Sequence, residues 1–339
     1  MKVAVTVKPE QIQFEERNIP EINNDQLLLK MKYVGVCGSD IHIYYGKHPF
    51  VGPEYYPLVQ GHEGVAEVSK VGKNVTGFES GDLVTVMPQL FCGKCEMCRK
   101  GMPHICETLK VLGCQCDGLF AEYFGVDANL AIKLPSNADP VESALIEPLA
   151  VAIGAVRKLG CLGGKKLLVY GAGVIGNLCA QVAKAFGCAQ VTIADIDESR
   201  LNTAVVSCGI DANININNPP NGEKSFDDYD YVIECVGIES TLKTAIKHSK
   251  KNSKILVVGV FGKEATLPVA LIQDRELMLQ GSLMYEREDY ITAINLLQSH
   301  KVIVKPLIYK VLPFSAYDTA YDLIAKNKAK AIKVIIQIC

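Results

Sequence analysis

A glycine-rich turn between an apolar strand and an apolar helix is the feature that most restricts the fold of this chain. Lys165–Tyr170 (KKLLVY) is a short apolar run typical of a buried parallel strand, and Gly171–Gly176 (GAGVIG) follows it and opens a helical stretch. Glycines spaced in this way permit a tight turn, close approach of the backbone to a pyrophosphate, and close helix–strand packing. The sequence therefore predicts a dinucleotide-binding sheet.

Asp195 follows the next predicted strand, Gln190–Ala194. A carboxylate there accepts hydrogen bonds from the adenosine ribose hydroxyls and repels a 2′-phosphate, which favours NAD over NADP. Arg200 keeps NADP open, since a nearby arginine can meet a 2′-phosphate; alternatively, Asp195 is a solvated turn residue. The predicted cofactor-binding residues are Gly171, Gly173, Val174, Ile175, Gly176, Asp195 and Arg200.

The organisation of the chain changes after Pro148. The preceding ~145 residues are rich in β-formers and turn residues and predict an irregular, mostly β domain. After Pro148, strands alternate with helices, among them a helix predicted over Glu198–Ser207, which indicates a doubly wound parallel sheet. Asn213–Gly222 is rich in Asn and Pro and predicts a surface loop. The chain is thus expected to be an α/β protein with two domains.

Composition and charge limit the classes of partner. A net charge of −2 gives no basis for binding nucleic acid or an anionic membrane, and no apolar run approaches the ~20 residues of a membrane span. The N-terminus lacks the long apolar core of a signal peptide, so we expect a cytoplasmic protein. The chain has thirteen cysteines, an odd number that cannot all pair in disulfides, and disulfides are disfavoured in the cytosol. The cysteines therefore suggest metal binding, catalysis or packing.

Four cysteines fall within fifteen residues in a Cys-x2-Cys-x2-Cys-x7-Cys pattern. As thiolates they can surround one tetrahedral ion and leave no open position, which favours a structural zinc site. An iron–sulfur cluster is the main alternative, and disulfide pairing is a third. The predicted ligands are Cys92, Cys95, Cys98 and Cys106.

Three separated segments offer thiolate, imidazole and carboxylate ligands: Val36–His42 (VCGSDIH), Gly61–Gly64 (GHEG) and Ile146–Pro148 (IEP). Three protein ligands plus a water or substrate are typical of a catalytic zinc site. Taken singly, Cys37 also fits a buried cysteine, His62 a histidine in a turn, and Glu147 a glutamate between domains.

These motifs, with DGLFAEYF and ALIEPLAVA, resemble the zinc-dependent medium-chain alcohol dehydrogenases, and within them the sorbitol (polyol) dehydrogenase branch. The resemblance extends from end to end. It implies a GroES-like catalytic domain built from residues 1–147 and 284–339, with a Rossmann NAD domain at 148–283 between them. It also implies a homo-dimer or homo-tetramer.

The resemblance implies roles residue by residue. Cys37 and His62 match zinc ligands, Glu63 matches a ligand of the polyol branch, and Asp40 matches the carboxylate behind the zinc-binding histidine. Glu147 replaces a cysteine of many relatives and lies next to the metal in polyol relatives, directly or through water. Which glutamate binds zinc is open.

The implied reaction is reversible hydride transfer from a secondary alcohol to NAD, giving a ketone, with one catalytic and one structural zinc ion per chain. Ser39 is expected to accept the alcohol proton and His42 to pass it to water, with Glu147 also in the catalytic set; alternatively, His42 is a surface residue and Ser39 a turn hydroxyl. Met284 stands where some sorbitol dehydrogenases carry a substrate-binding arginine, which weakens sorbitol as the substrate. A 2,3-butanediol-type dehydrogenase and a non-catalytic redox sensor are the alternatives.

Overall fold

Both ends of the chain belong to the same structural unit. In the computed structural model, which describes residues 1–327 and 330–339, the first unit comprises Met1–Glu147 and Ile308–Cys339, and the second comprises Pro148–Leu307. The boundary expected at 283/284 therefore falls inside the second unit. The reason is that the segment after it packs there, where Asp289 pairs with Arg157.

The strands are β1 (Lys2–Lys8), β2 (Gln11–Glu16), β3 (Gln26–Val36), β4 (Glu63–Val71), β5 (Leu83–Val86), β6 (Gln89–Leu90), β7 (Lys110–Val111), β8 (Tyr123–Asp127), β9 (Ala131–Lys133), β10 (Lys166–Tyr170), β11 (Gln190–Asp195), β12 (Ala212–Asn215), β13 (Pro220–Glu223), β14 (Tyr231–Glu234), β15 (Lys254–Val257), β16 (Met278–Gly281), β17 (Ile308–Pro313) and β18 (Lys333–Gln337). The helices are α1 (Gly38–Tyr44), α2 (Glu96–Arg99), α3 (Pro140–Ser143), α4 (Ile146–Arg157), α5 (Val174–Ala185), α6 (Glu198–Asn202), α7 (Glu239–His248), α8 (Val269–Asp274), α9 (Arg287–Gln298) and α10 (Tyr317–Lys326). No helix within 1–327 or 330–339 is both long enough and apolar enough to cross a bilayer.

The first unit is built on a seven-stranded sheet in the order β17-β18-β3-β4-β5-β9, with β8 also pairing with β3. The central strand β3 (QLLLKMKYVGV) has Leu27, Leu29 and Met31 completely buried, because alternate residues of a strand point to the same face. β18 comes from the far end of the chain and lies antiparallel to β3. The C-terminal segment thus completes the sheet that carries Cys37 and Glu63.

The second unit is a six-stranded parallel sheet in the order β12-β11-β10-β14-β15-β16. Its strands are short apolar runs, such as KLLVY in β10, because helices cover both faces of a doubly wound sheet. One buried core cluster on this sheet includes Leu168, Val232 and Ile255, packed against Leu242 and Ile246 of α7. The predicted fold class is confirmed.

Two local predictions differ from the structure. The predicted loop Asn213–Gly222 contains most of β12, which pairs in parallel with β11, and the start of β13. Asn and Pro are rare in strands, but Ile214 is buried and holds the short edge strand in place. The helix predicted over Glu198–Ser207 is regular only through Asn202, and a π-helical turn continues it to Ser207.

Candidate metal and dinucleotide sites

Cys37, His62 and Glu63 converge in the first unit, although 24 residues of sequence separate the cysteine from the other two. One ligand atom of each lies within 4.8 Å of the others. Cys37 precedes α1, His62 precedes β4, and Glu63 begins it, so the ends of two adjacent elements form the cluster. His62 Nδ1 is buried and has no hydrogen-bond partner within the described part of the chain. Sulfur, nitrogen and carboxylate oxygen are the donor types that zinc prefers, so these residues fit that metal.

Asp40 lies behind this cluster and is completely buried. The Cys37 N–H donates to its Oδ2 at 2.9 Å, and the Gly61 N–H donates to its Oδ1 at 3.2 Å. Oδ1 is also 3.8 Å from His62 Nδ1. Burial raises the pKa of Asp40, and the charge of His62 opposes that rise. One carboxylate thus fixes the backbone on both sides of the cluster.

Glu63 has a cationic partner that the sequence analysis missed. Lys333 Nζ donates to both carboxylate oxygens of Glu63, at 2.8 and 2.6 Å, and to the Val36 carbonyl at 3.0 Å. Burial lowers the pKa of Lys333, but the charges of Glu63 and Cys37 outweigh it and the pKa lies above its ordinary value. A lysine at the start of the apolar run KVII was the available signal, since buried lysines are paired.

The remaining predicted catalytic residues lie around the cluster. Glu147 is buried near the start of α4, and its charge helps to raise the pKa of Lys333. It is not part of the cluster of Cys37, His62 and Glu63 found among the described residues. Ser39 Oγ lies 3.6 Å from Cys37 Sγ. His42 is exposed in the last turn of α1.

The four predicted cysteine ligands form a second cluster, in the lobe that contains β6, α2 and β7. The Sγ atoms of Cys92, Cys95, Cys98 and Cys106 all lie within 4.8 Å of one another. The Lys94 N–H donates to Cys92 and lowers the pKa of that thiol, and the Cys92 N–H lowers the pKa of Cys106 to about 6. Burial and the neighbouring sulfur of Cys95 raise the pKa of Cys98. Backbone donors thus favour the thiolate form of Cys92 and Cys106, the form that a structural metal site requires.

The glycine turn has the geometry expected of a phosphate-binding turn. Gly171 has φ +98°, a left-handed conformation that favours glycine, and a side chain at Gly176 would overlap the Gly171 carbonyl. The space beside Gly173 is open, so a pyrophosphate has room to approach the backbone. Val174 and Ile175 form the first turn of α5.

Asp195 supports the same turn from β11. Its Oδ2 accepts the Ala172 N–H at 2.6 Å, and its Oδ1 accepts the Asp197 N–H at 3.0 Å. Asn177 donates to the Ala172 and Gly173 carbonyls at 2.8 and 3.0 Å. Arg200 lies in α6, where its backbone N–H donates to the capping residue Asp197. The carboxylate therefore fixes the turn.

Two family models match the chain: Alcohol dehydrogenase GroES-like domain over residues 23–136, and Zinc-binding dehydrogenase over residues 174–299. D-xylulose reductase A of Aspergillus oryzae (strain ATCC 42149 / RIB 40) is 33% identical over 337 residues, which cover 96% of this chain and 93% of that relative. L-galactonate-5-dehydrogenase of Escherichia coli K12 is 30% identical over 350 residues, with 99% and 98% covered. A crystal structure of an alcohol dehydrogenase from Escherichia coli CFT073 with NADH is 31% identical, with a TM-score of 0.92 and 100% and 99% covered.

Each matched model falls within one structural unit, so fold and sequence lead to the same class, the metal-dependent dinucleotide-binding oxidoreductases. More particularly, the chain belongs to the zinc-binding alcohol dehydrogenase family. The resemblance found in the sequence is thereby confirmed, and the chain is an enzyme.

Proposed function

We propose that this enzyme oxidises a secondary hydroxyl of a polyol or sugar acid to a ketone, reversibly, with NAD as the hydride acceptor. The observation that carries the proposal is the convergence of Cys37, His62 and Glu63 within 4.8 Å. The relatives named for xylulose and galactonate favour this substrate class.

Cys37, His62 and Glu63 would hold the catalytic zinc, and Glu147 lies close enough to influence the same region. A zinc ion there supplies Lewis-acid chemistry that lowers the pKa of the substrate hydroxyl. Asp40 holds the Cys37 backbone in place and lies 3.8 Å from His62 Nδ1. Ser39 Oγ accepts the hydroxyl proton as it releases its own proton to the exposed imidazole of His42, which then passes a proton to water.

The other cofactor sites follow from their donor chemistry. Cys92, Cys95, Cys98 and Cys106 would hold a structural zinc ion. Gly171, Gly173, Val174, Ile175 and Gly176 would bind the pyrophosphate. Asp195 would repel the 2′-phosphate of NADP, while Arg200 would lie beside the ribose.

We also propose a cytoplasmic homo-dimer or homo-tetramer that acts on a small molecule without nucleic acid or membrane. Thirteen free cysteines support a reducing compartment. The subunit number is measurable by light scattering on the purified enzyme.

The proposal is tested with a substrate panel and one cysteine variant. Reduction of NAD or NADP is followed with sorbitol, iditol, galactitol, L-galactonate, threonine and 2,3-butanediol. Cys37→Ser is expected to abolish turnover and lose one of two zinc ions while retaining NADH binding, because it removes a thiolate ligand. The exposed Cys161 provides the matched control, Cys161→Ser, which should behave as wild type. Near-normal turnover or two retained zinc ions in Cys37→Ser would refute the assignment, and a preference for 2,3-butanediol would replace the proposed substrate class.

A further inference from the structure

Glu234 is a completely buried residue at the carboxyl end of β14 in the second unit. Its Oε1 accepts the Val236 and Gly237 N–H groups, both at 2.9 Å, and the Thr241 hydroxyl at 2.7 Å. Its Oε2 accepts the Gly237 N–H at 3.2 Å. Burial raises the pKa of Glu234, and these hydrogen bonds oppose the rise. One side chain thus fixes the loop at 235–238, between β14 and α7.

The main chain of Glu234 bonds the segment that follows β15. The Glu234 carbonyl accepts the Val258 and Gly259 N–H groups, both at 2.9 Å. A side chain at Gly259 would overlap Glu234 Oε2 and the Gly237 nitrogen. The segment after β15 and the 235–238 loop are therefore packed closely against each other at this glutamate.

The 235–238 loop also lies against the glycine turn. A side chain at Gly171 would be only 2.9 Å from Val236 Cγ2. Val236 is nevertheless 41% exposed, and Val260 in the segment after β15 is 48% exposed. The two segments that meet at Glu234 thus both present an apolar side chain to the surface, and Val236 does so beside the turn.

The strand order indicates which half of a dinucleotide this loop would meet. In the sheet, β11 with Asp195 lies on one side of β10, and β14 and β15 lie on the other. A dinucleotide bound at the end of β10 has its pyrophosphate at the glycine turn and its two halves on opposite sides of that strand. Since Asp195 is expected to meet the adenosine ribose, the nicotinamide ring falls on the side of β14 and β15.

We propose, resting on the proposed binding of NAD at the glycine turn, that Glu234 is a positioning residue for the nicotinamide ring. Its carboxylate acts through the 235–238 loop. The fixed loop keeps Val236 beside the turn, where its apolar surface packs against the ring. The adenosine half depends on Asp195 and the turn, and not on this loop.

The test is isothermal titration calorimetry of the purified full-length protein with NADH and with ADP-ribose, which lacks the nicotinamide ring. In Glu234→Gln an amide replaces the carboxylate, so the donors of the loop lose a charged acceptor and one of its two oxygens. NADH should bind about tenfold more weakly, whereas the affinity for ADP-ribose should remain within about threefold of wild type. Wild-type affinity for NADH, or an equal loss for both ligands, overturns the proposal.

The matched control is Glu239→Gln, at the start of α7. Glu239 also holds a segment after β15, because its Oε2 accepts the Thr266 N–H at 2.9 Å, but its side chain is 41% exposed and pairs with Lys243. Glu239→Gln should bind both ligands as the wild type does. A loss of NADH affinity equal to that of Glu234→Gln would show that any carboxylate lost near this edge weakens binding, and would refute the specific role.

Thr241 carries the test if Glu234→Gln does not fold. Thr241→Val removes the hydroxyl that donates to Glu234 Oε1, and should weaken NADH binding by about threefold with ADP-ribose binding unchanged. Thr241→Ser keeps the hydroxyl and should bind NADH as the wild type does. Equal NADH affinities of Thr241→Val and Thr241→Ser would then overturn the proposal.

The proposed function and this inference fail in different ways. If Gly173→Ala binds NADH as the wild type does, the dinucleotide does not use the glycine turn and the proposed cofactor site fails. If Gly173→Ala weakens NADH binding while Glu234→Gln binds NADH as the wild type does, only the role of Glu234 is wrong.

Discussion

Asp40 is the residue that joins the separate parts of the candidate catalytic site. It accepts backbone N–H groups on both sides of the site and lies beside His62. Because a carboxylate behind a metal-binding histidine fixes the orientation of the ring, we expect Asp40 to have an indirect but large effect on metal binding.

Asp40→Asn is expected to lower both turnover and zinc affinity, each by about 10- to 100-fold. The amide has one acceptor oxygen where two backbone N–H groups need acceptors, so one donor loses its partner. Steady-state kinetics and chelator competition measure the two effects. Asp322→Asn, in an exposed pair with Lys326, is the control and should change neither. Wild-type zinc affinity in Asp40→Asn would contradict this role.

Individual residues of the candidate site differ in whether the sequence alone can predict them. Cys37 and His62 are recognisable because short local motifs carry them. Lys333 is not, because its contact with Glu63 depends on the register of strands 270 positions apart. The glycine at position 35 is explained only once that contact is known, because a side chain there would overlap Glu63 Oε2.

At the scale of elements, the turn between β10 and α5 has two glycines with different tasks. A side chain at Gly176 would overlap a carbonyl of the same turn, whereas the space beside Gly173 is open. The sequence predicted this element well because the strand, turn and helix are contiguous. It misread β12, whose pairing with β11 depends on distant residues.

The two glycines predict opposite outcomes on substitution by alanine. Gly173→Ala should keep the wild-type melting temperature but bind NADH at least about tenfold more weakly, because the methyl group occupies the phosphate approach. Gly176→Ala should instead lower the melting temperature strongly. NADH fluorescence titration and thermal unfolding measure the two effects. An equally destabilised Gly173→Ala would show that the open space is structural.

The four-cysteine lobe is a separate element with its own prediction. Cys95→Ser should lose one zinc ion per chain and lower thermal stability, because a structural site contributes directly to folding. Activity at low temperature should persist. Cys188→Ser, outside both clusters, is the control. A stable but inactive Cys95→Ser protein would contradict a structural role.

At the scale of the whole molecule, the units differ in continuity. The second is one uninterrupted segment, Pro148–Leu307, and the first needs both ends of the chain. The sequence placed the later boundary too early, because the strand–helix alternation ends near Gly281. The contacts of α9 show that it belongs to the second unit, because Asp289 pairs with Arg157 and the side chains of Tyr290 and Ala293 are buried.

This boundary predicts the behaviour of two fragments. Residues 148–307 should fold and bind NADH, whereas residues 148–283 should not fold, because they lack α9 and the Ile303 backbone that Gln181 contacts. Circular dichroism and NADH titration distinguish them. Equal stability of the two fragments would restore the earlier boundary.

The place of β18 between β17 and β3 has a consequence for biosynthesis. During translation, the second unit emerges from the ribosome as a complete segment and can fold while synthesis continues. The sheet that carries Cys37 and Glu63 must wait, because the strand that carries Lys333 is made almost 300 codons after β3. Nascent chains stalled before that strand should therefore already bind dinucleotide, although the sheet of the first unit is still incomplete.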